Sequence, residues 1–268
     1  MNVLNIIVFY NNQIEVDHYV RNALTVSNGL LDLWIVINRD DNNDSKSMYD
    51  SWEDSIKEHC EIIDFGENVG YLNCMLKSIK TKDIEKYDYF ILSNTDIEYR
   101  DSNFFSTLCE NQYESNIGCI APSVYTPRNN AYSNPHYKER IPRKKLVFLS
   151  RLFSFPALAK MYLKLAALKS RNKKKEKKPS CYAYSPHGCY MIFTKPFIQK
   201  ICGNEYGVLL YSEESYIGEM LRKHNMKCFY DDSIEVVHLG SLVTGKVDYK
   251  KRFLLWKESI DYLLATFY

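Results

Sequence analysis

Through its first half the chain alternates short apolar runs with stretches of helical spacing. VLNIIVFY, residues 3 to 10, is uniformly apolar but for Asn5 and gives way to polar Asn11 and Asn12. In EVDHYVRNALTVS, which follows, apolar residues recur three and four apart, the spacing of a helix with one buried face. LDLWIVINRDDNNDS repeats the strand-then-polar pattern, SMYDSWEDSIKEHC reads as one helix, and EIIDFGENVGY as a strand entering a glycine-bearing loop. LNCMLKSIKTK is a further helix and YDYFILSNTDIEY a fourth strand. This alternation predicts an α/β fold, a mostly parallel sheet flanked by helices, whose ligands lie beyond the carboxyl ends of the strands. Each polar cluster falls at such an end.

After NIGCIAPSVYTP the pattern breaks, and residues 128–180 are basic and punctuated by proline. They hold one helix candidate, KKLVFLSRLFSFPALAKMYLKLAALKS, which Pro156 is expected to kink or split. The run RNKKKEKKP then reads as solvated. CYAYSPHGCYMIFTKPF restores strand order, and YSEESYIGEMLRKHNM reads as a helix with Ser212 as its N-cap and acidic residues in its first turn. KCFYDDSIEVVHLGS is a strand delivering His238 to a Gly-Ser loop, and the tail, YKKRFLLWKESIDYLLATFY, is an amphipathic helix.

The 268 residues, 46% of them hydrophobic, are enough for the core of one large domain. Eight cysteines form no Cys-x-x-Cys pair and fall in core-like segments, so reduced thiols in a cytosolic protein are expected rather than a zinc or disulfide framework. The amino terminus has no basic leader region, and no stretch approaches the ~20 apolar residues of a transmembrane helix. Net charge is +2, but residues 138–178 alone carry +13, leaving −11 on the remainder. That asymmetry is the main compositional signal.

Four groups carry candidate chemistry. Asp96, after Ser93, Asn94 and Thr95, can help hold a divalent cation bound mainly through ligand phosphates, and turn chemistry accounts for the same residues. Glu213 and Glu214 are placed either as surface groups at a helix N-terminus or as a general base near a cleft. His238 is a metal ligand or a satisfied core histidine. His187 and Gly188 precede an apolar strand, where glycine permits close backbone approach to a ligand or a simple bulge.

Taken in order, the strand-1 polar exit, the Asp/Asn cluster after strand 2, ENVGY, SNTD, HGCYMIF, YSEES and VVHLGS resemble the family-2 glycosyltransferases, inverting enzymes of GT-A fold. The likeness is to the rhamnosyltransferase-like, bacterial surface-polysaccharide branch, and it covers residues 3–125 and 181–245. It implies a nucleotide-sugar-binding half over 1–127 and an acceptor and catalytic half over 181–245, while the basic insertion over 128–180 and the C-terminal helix over 246–268 are read from the residues themselves. It implies further that Tyr10, Asn11, Asn38, Asp40 and Asp41 face the donor's base and ribose, and that Asn68 and Gly70 form the Asn-x-Gly turn near the nucleotide. Asp96 matches the last aspartate of the metal-binding D-x-D motif, with Asn94 in place of its first. Glu214 takes the position of the catalytic aspartate with Glu213 as partner, His238 completes the metal and diphosphate site, and His187 and Gly188 lie on the acceptor side. The cofactor implied is Mg²⁺ or Mn²⁺, the donor a nucleoside-diphosphate sugar, and the acceptor a glycan or lipid-linked oligosaccharide. A nucleotidyltransferase is the rival enzyme class, although VFYNNQIEV offers no Gly-rich basic phosphate loop. A sugar-nucleotide-binding scaffold with a degenerate site is the non-enzyme rival.

The basic segment interleaves LVFLSRLFSF and ALAKMYLKLAAL with its charges, a pattern suited to an anionic membrane surface rather than nucleic acid. A cytoplasmic protein peripheral on the inner face of the plasma membrane is therefore expected. A lid or an oligomer contact is the alternative, and the aromatic C-terminal helix offers a surface for a homodimer.

Overall fold

In a computed structural model, which describes residues 1–170, 176–240 and 249–268, the first apolar run becomes a central strand. The first half runs β1 (Val3–Tyr10), α1 (Gln13–Ser27), β2 (Leu31–Arg39), α2 (Asp44–Ser51), α3 (Asp54–Lys57), β3 (Cys60–Asp64), α4 (Tyr71–Thr81) and β4 (Tyr89–Ser93). Then come β5 (Ile97–Glu98), α5 (Phe104–Glu110), β6 (Ile117–Thr126), β7 (Ala131–Tyr132), α6 (Arg143–Phe153) and α7 (Pro156–Ser170). The last third holds β8 (Cys181–Ala183), β9 (Tyr190–Thr194), α8 (Lys195–Ile201), α9 (Glu213–Lys223), β10 (Lys227–His238) and α10 (Tyr249–Phe267).

The strands form one sheet in the order β3-β2-β1-β4-β9-β6-β10-β5, with β7 beside β6 and β8 beside β10. Its long pairings are parallel, and β9 enters antiparallel between β4 and β6. Two antiparallel steps restore direction, so β10 ends on the same edge of the sheet as β1, β2 and β4. Helices cover both faces, which is why these strands read as continuous apolar runs. Alternation splits β1 cleanly: Leu4 and Ile6 enter the core under α4, α8 and α9, while Val3, Ile7 and Phe9 enter the one under α1 and α5. Buried Asn5, on the second face, joins a hydrogen-bonded group of Tyr19, Ser93, Tyr99 and Tyr190 beneath the strand ends. A satellite core of Ile141, Leu146, Phe153, Ala159, Phe253 and Ile260 joins α6, α7 and α10.

Three local expectations need correction. The single helix over 47–60 is two, α2 and α3, because Trp52 is extended and buried, its indole donating to Asp17 Oδ1 at 2.6 Å. Ser212 is not a side-chain N-cap: its φ is +62°, and its hydroxyl bonds that of Ser259 at 2.9 Å. As expected, Pro156 splits the basic helix, and it starts α7, a position where a missing N–H costs nothing. Cys202 is exposed, whereas five of the other cysteines are buried and all eight are free. The helix α5 carries no strong periodic signal and was not anticipated. Part of the Lys-rich run, residues 171–175, and residues 241–248, which hold the serine of the expected Gly-Ser loop, lie outside the described residues.

Candidate active site

The sheet's carboxyl edge gathers residues far apart in sequence. Beyond β4 the chain turns through Asn94, whose N–H donates to Cys189 O at 2.9 Å, and reaches Asp96. The two-residue strand β5 then pairs antiparallel with the end of β10, setting Ile97 opposite His238, and Leu239 N donates to Asp96 O at 2.9 Å. These pairings bring His238 Nε2 to 3.0 Å from Asp96 Oδ2. Both side chains are largely buried, Asp96 at 5% and His238 at 19% exposure.

Asp96 lines a cleft of about 300 Å³, whereas its partner His238 is not among the lining residues. Of the residues expected on the donor side, Tyr10, Asn38, Asn68 and Asn94 line it with Asp96. Asn38 is fixed by accepting from Val69 N at 3.2 Å, and Asn68 accepts from Gly70 N at 3.0 Å in a tight turn that opens α4. Gly70 has φ +84°, and a Cβ there would lie 2.2 Å from Leu209 O, so only glycine lets the 209–211 segment close this wall. Asn11, Asp40 and Asp41 do not line the cleft. Asn11 and Asp41 exchange hydrogen bonds of 2.8 and 3.0 Å, with Arg39 gripping Asp41 at 2.6 Å, and tie the exits of β1 and β2 together at the surface. Asp40 holds the first amides of α2, accepting from Asp44 N at 2.6 Å and Ser45 N at 3.2 Å.

His187, Gly188, Glu213 and Glu214 are not among the residues lining that cleft; Gly188 N donates to Glu214 Oε1 at 3.2 Å, and a Cβ at Gly188 would lie 2.5 Å from that oxygen. Tyr71 links this segment to the cleft by donating to Gly188 O at 3.0 Å. The buried thiol of Cys189 is pushed well up by burial and then by Asp96 and Glu214, which places both carboxylates close to it. Glu213 is buried and accepts from Tyr211 N at 2.8 Å. Burial, then the charge of Glu214, pushes its carboxyl up to about 8. At neutral pH Glu213 therefore holds its proton, beside half-buried Glu214. His187 holds its ring 6.1 Å from that of His238 and 5.1 Å from that of His136, and its Nδ1 accepts from Cys189 N at 3.2 Å.

Asp96 and His238 fit a divalent cation. The carboxylate of Asp96 and the imidazole of His238, 3.0 Å apart, are donor types that would hold such an ion. Among the described residues no group of three or more His, Cys, Asp and Glu is gathered for metal binding. Phosphate oxygens of a ligand would therefore complete the coordination, as Mg²⁺ prefers.

Sequence reasoning missed Asn12, Tyr71, Leu209, Tyr211 and Lys251, all of which line the cleft. Asn12 donates to Thr95 Oγ1 at 2.8 Å and so joins the exits of β1 and β4. Lys251 comes from the first turns of α10, whose amphipathic spacing signals only packing.

No protein-family model matches the chain, and no curated protein matches it in sequence. Its fold is found in solved structures. Mannosyltransferase PcManGT from Pyrobaculum calidifontis, in complex with GDP-Man and Mn²⁺, superposes with a TM-score of 0.58 at 9% identity, over 99% of this chain and 70% of that one. GalNAc-T7 with UDP, GalNAc and Mn²⁺ gives 0.54 at 10% identity over 90% of this chain, which spans 43% of that larger protein. A mycobacterial protein gives 0.54 at 9% identity, over 98% of this chain and 74% of that one. The fold is thus of the GT-A glycosyltransferase type.

Proposed function

We propose that the protein transfers a glycosyl group from a nucleoside-diphosphate sugar to a hydroxyl of a growing glycan, by a single displacement that inverts the anomeric centre. The observation that carries this reading is the Asp96–His238 pair, 3.0 Å apart, whose Asp96 lines the cleft together with Asn38 and Asn68, with Glu214 close to Cys189. Neighbours of the same fold hold GDP-mannose or UDP with Mn²⁺. The likeness of motif order adds a hexose or deoxyhexose donor and a lipid-linked bacterial surface polysaccharide as acceptor.

Asn38 and Asn68 line the donor side, and Lys251 adds positive charge to the same cleft. Bound Mg²⁺ or Mn²⁺, held by Asp96, His238 and the donor's phosphates, would supply Lewis-acid neutralisation of the departing diphosphate. Glu214 takes the proton of the acceptor hydroxyl as its oxygen attacks the anomeric carbon and the bond to the diphosphate breaks. General-base help of this kind is worth ~10²- to 10⁴-fold in rate. Glu213, protonated, contributes no competing charge, and Gly188 N orients the working carboxylate.

The test is release of nucleoside diphosphate from a panel of sugar nucleotides with glycan acceptors. Acceptor-dependent release, lost in Glu214→Gln while nucleotide still binds, is expected. Nucleotide binding without release under any acceptor, unaltered by the substitution, would point to the scaffold instead.

A further inference from the structure

Among the described residues α7 departs most from the rule that a surface helix turns its apolar stripe inward. Lys160 and Lys164 are the only charges in the run from Ala157 to Leu168. Its inward contacts are Ala159, fully buried, and Leu163, partly buried against the satellite core. Leu158, Met161, Leu165 and Leu168, on one face at helical spacing, are 51–57% exposed, and Phe155 at the helix start is 59% exposed. Phe148 of α6, also exposed, packs on Tyr162 at 5.6 Å and widens the patch.

Charge decides what this face meets. The segment over 138–178 carries +13 and the rest of the chain −11. Pairing with a second copy would press two such basic segments together. Nucleic acid would leave the leucines in water. An anionic bilayer takes both features, cations on its headgroups and apolar side chains beneath them. No helix among the described residues is long and apolar enough to cross a membrane, so α7 would lie in the surface plane.

We propose that α7 inserts Leu158, Met161, Leu165 and Leu168 into the interfacial layer of an anionic membrane. The satellite core ties this face to the cleft, because α10 packs Phe253 and Ile260 against α6 and α7 and lines the cleft with Lys251 and Leu255. Docking therefore fixes the cleft relative to the lipid surface.

The experiment is co-sedimentation of the full chain with phosphatidylcholine vesicles and with vesicles also containing phosphatidylglycerol. Each Lys or Arg near an anionic surface contributes ~1 kcal/mol, roughly five-fold in partition, so a preference of at least ~10-fold for anionic vesicles is expected. A variant with Leu158, Met161, Leu165 and Leu168 all changed to Gln keeps every charge and should lose pelleting while melting as the parent does. Equal pelleting on both vesicles, no pelleting, or undiminished pelleting of the variant would overturn the proposal. So would a dimer that the variant dissolves. Because the readout needs no sugar nucleotide, a failed transfer assay leaves it intact.

Discussion

Replacing Gly188 by Ala probes the catalytic geometry with a single methyl group. The backbone at Gly188 has no positive φ, so alanine meets no conformational penalty there. The new Cβ would lie 2.5 Å from Glu214 Oε1, 2.9 Å from its Cδ and 3.3 Å from its Cγ. Ordinary contact begins at 3.4 Å, so the carboxyl must retreat by about 0.9 Å. A shift near 1 Å in a reacting group costs ~10²-fold in rate, or ~2.7 kcal/mol of barrier. The carboxyl is the far end of a half-buried side chain, so the folding penalty belongs at the low end of the ~1–3 kcal/mol for overpacking. Steady-state kinetics should show kcat down ~100-fold with KM for the donor nearly unchanged, and melting should fall only slightly. A folded variant whose kcat stays within roughly three-fold of the parent would refute the placement of Glu214 as base.

Two further outcomes follow from buried charges. Glu213 holds its proton up to about 8 in the folded chain against an ordinary value of 4.5, so folding binds a proton that unfolding releases over this window. Stability should therefore decline as pH rises from about 5 to 8, by up to ~1.4 kcal/mol per unit, and Glu213→Gln should flatten the trend in urea midpoints. Arg140 grips Glu219, 5% exposed, at 2.7 and 3.0 Å and also donates to Phe267 O at 2.9 Å. Arg140→Ala should cost about 3 kcal/mol in denaturant titration, the low end for breaking a buried pair because Tyr184 still donates to Glu219. Arg140→Lys should not restore it, lacking the planar fork.

The parallel half was legible because its strands are buried on both faces and its helices on one, so period alone separates them. Tyr10, Asn38, Asn68 and Asn94 were legible for a related reason: parallel strands ending on one edge bring their exits together. The same local logic included Asn11, Asp40 and Asp41, yet those side chains cap α2 and knit the strand exits. Nothing in a short polar cluster distinguishes a cap from a ligand contact. The bond between Asp96 and His238 depends on β5 pairing with β10 across 140 positions of sequence, which no local pattern reports. Lys251 and Tyr211 reach the cleft only because α10 and the 209–211 segment fold over it. Trp52 misled because its burial overrode helix propensity, and Ser212 because its hydroxyl bonds Ser259 rather than capping α9.

The central claim is that the cleft binds a nucleoside diphosphate through a cation held by Asp96 and His238. The direct measurement is thermal unfolding against a panel of nucleoside diphosphates, each with and without Mn²⁺ or Mg²⁺. Ligand at 100 times its dissociation constant adds ~2.7 kcal/mol, a shift of a few degrees in Tm for a chain of this size. The account predicts such a shift for at least one nucleotide, dependent on the metal and abolished by Asp96→Asn. Stabilisation by no nucleotide, or a shift that Asp96→Asn leaves in place, would contradict it.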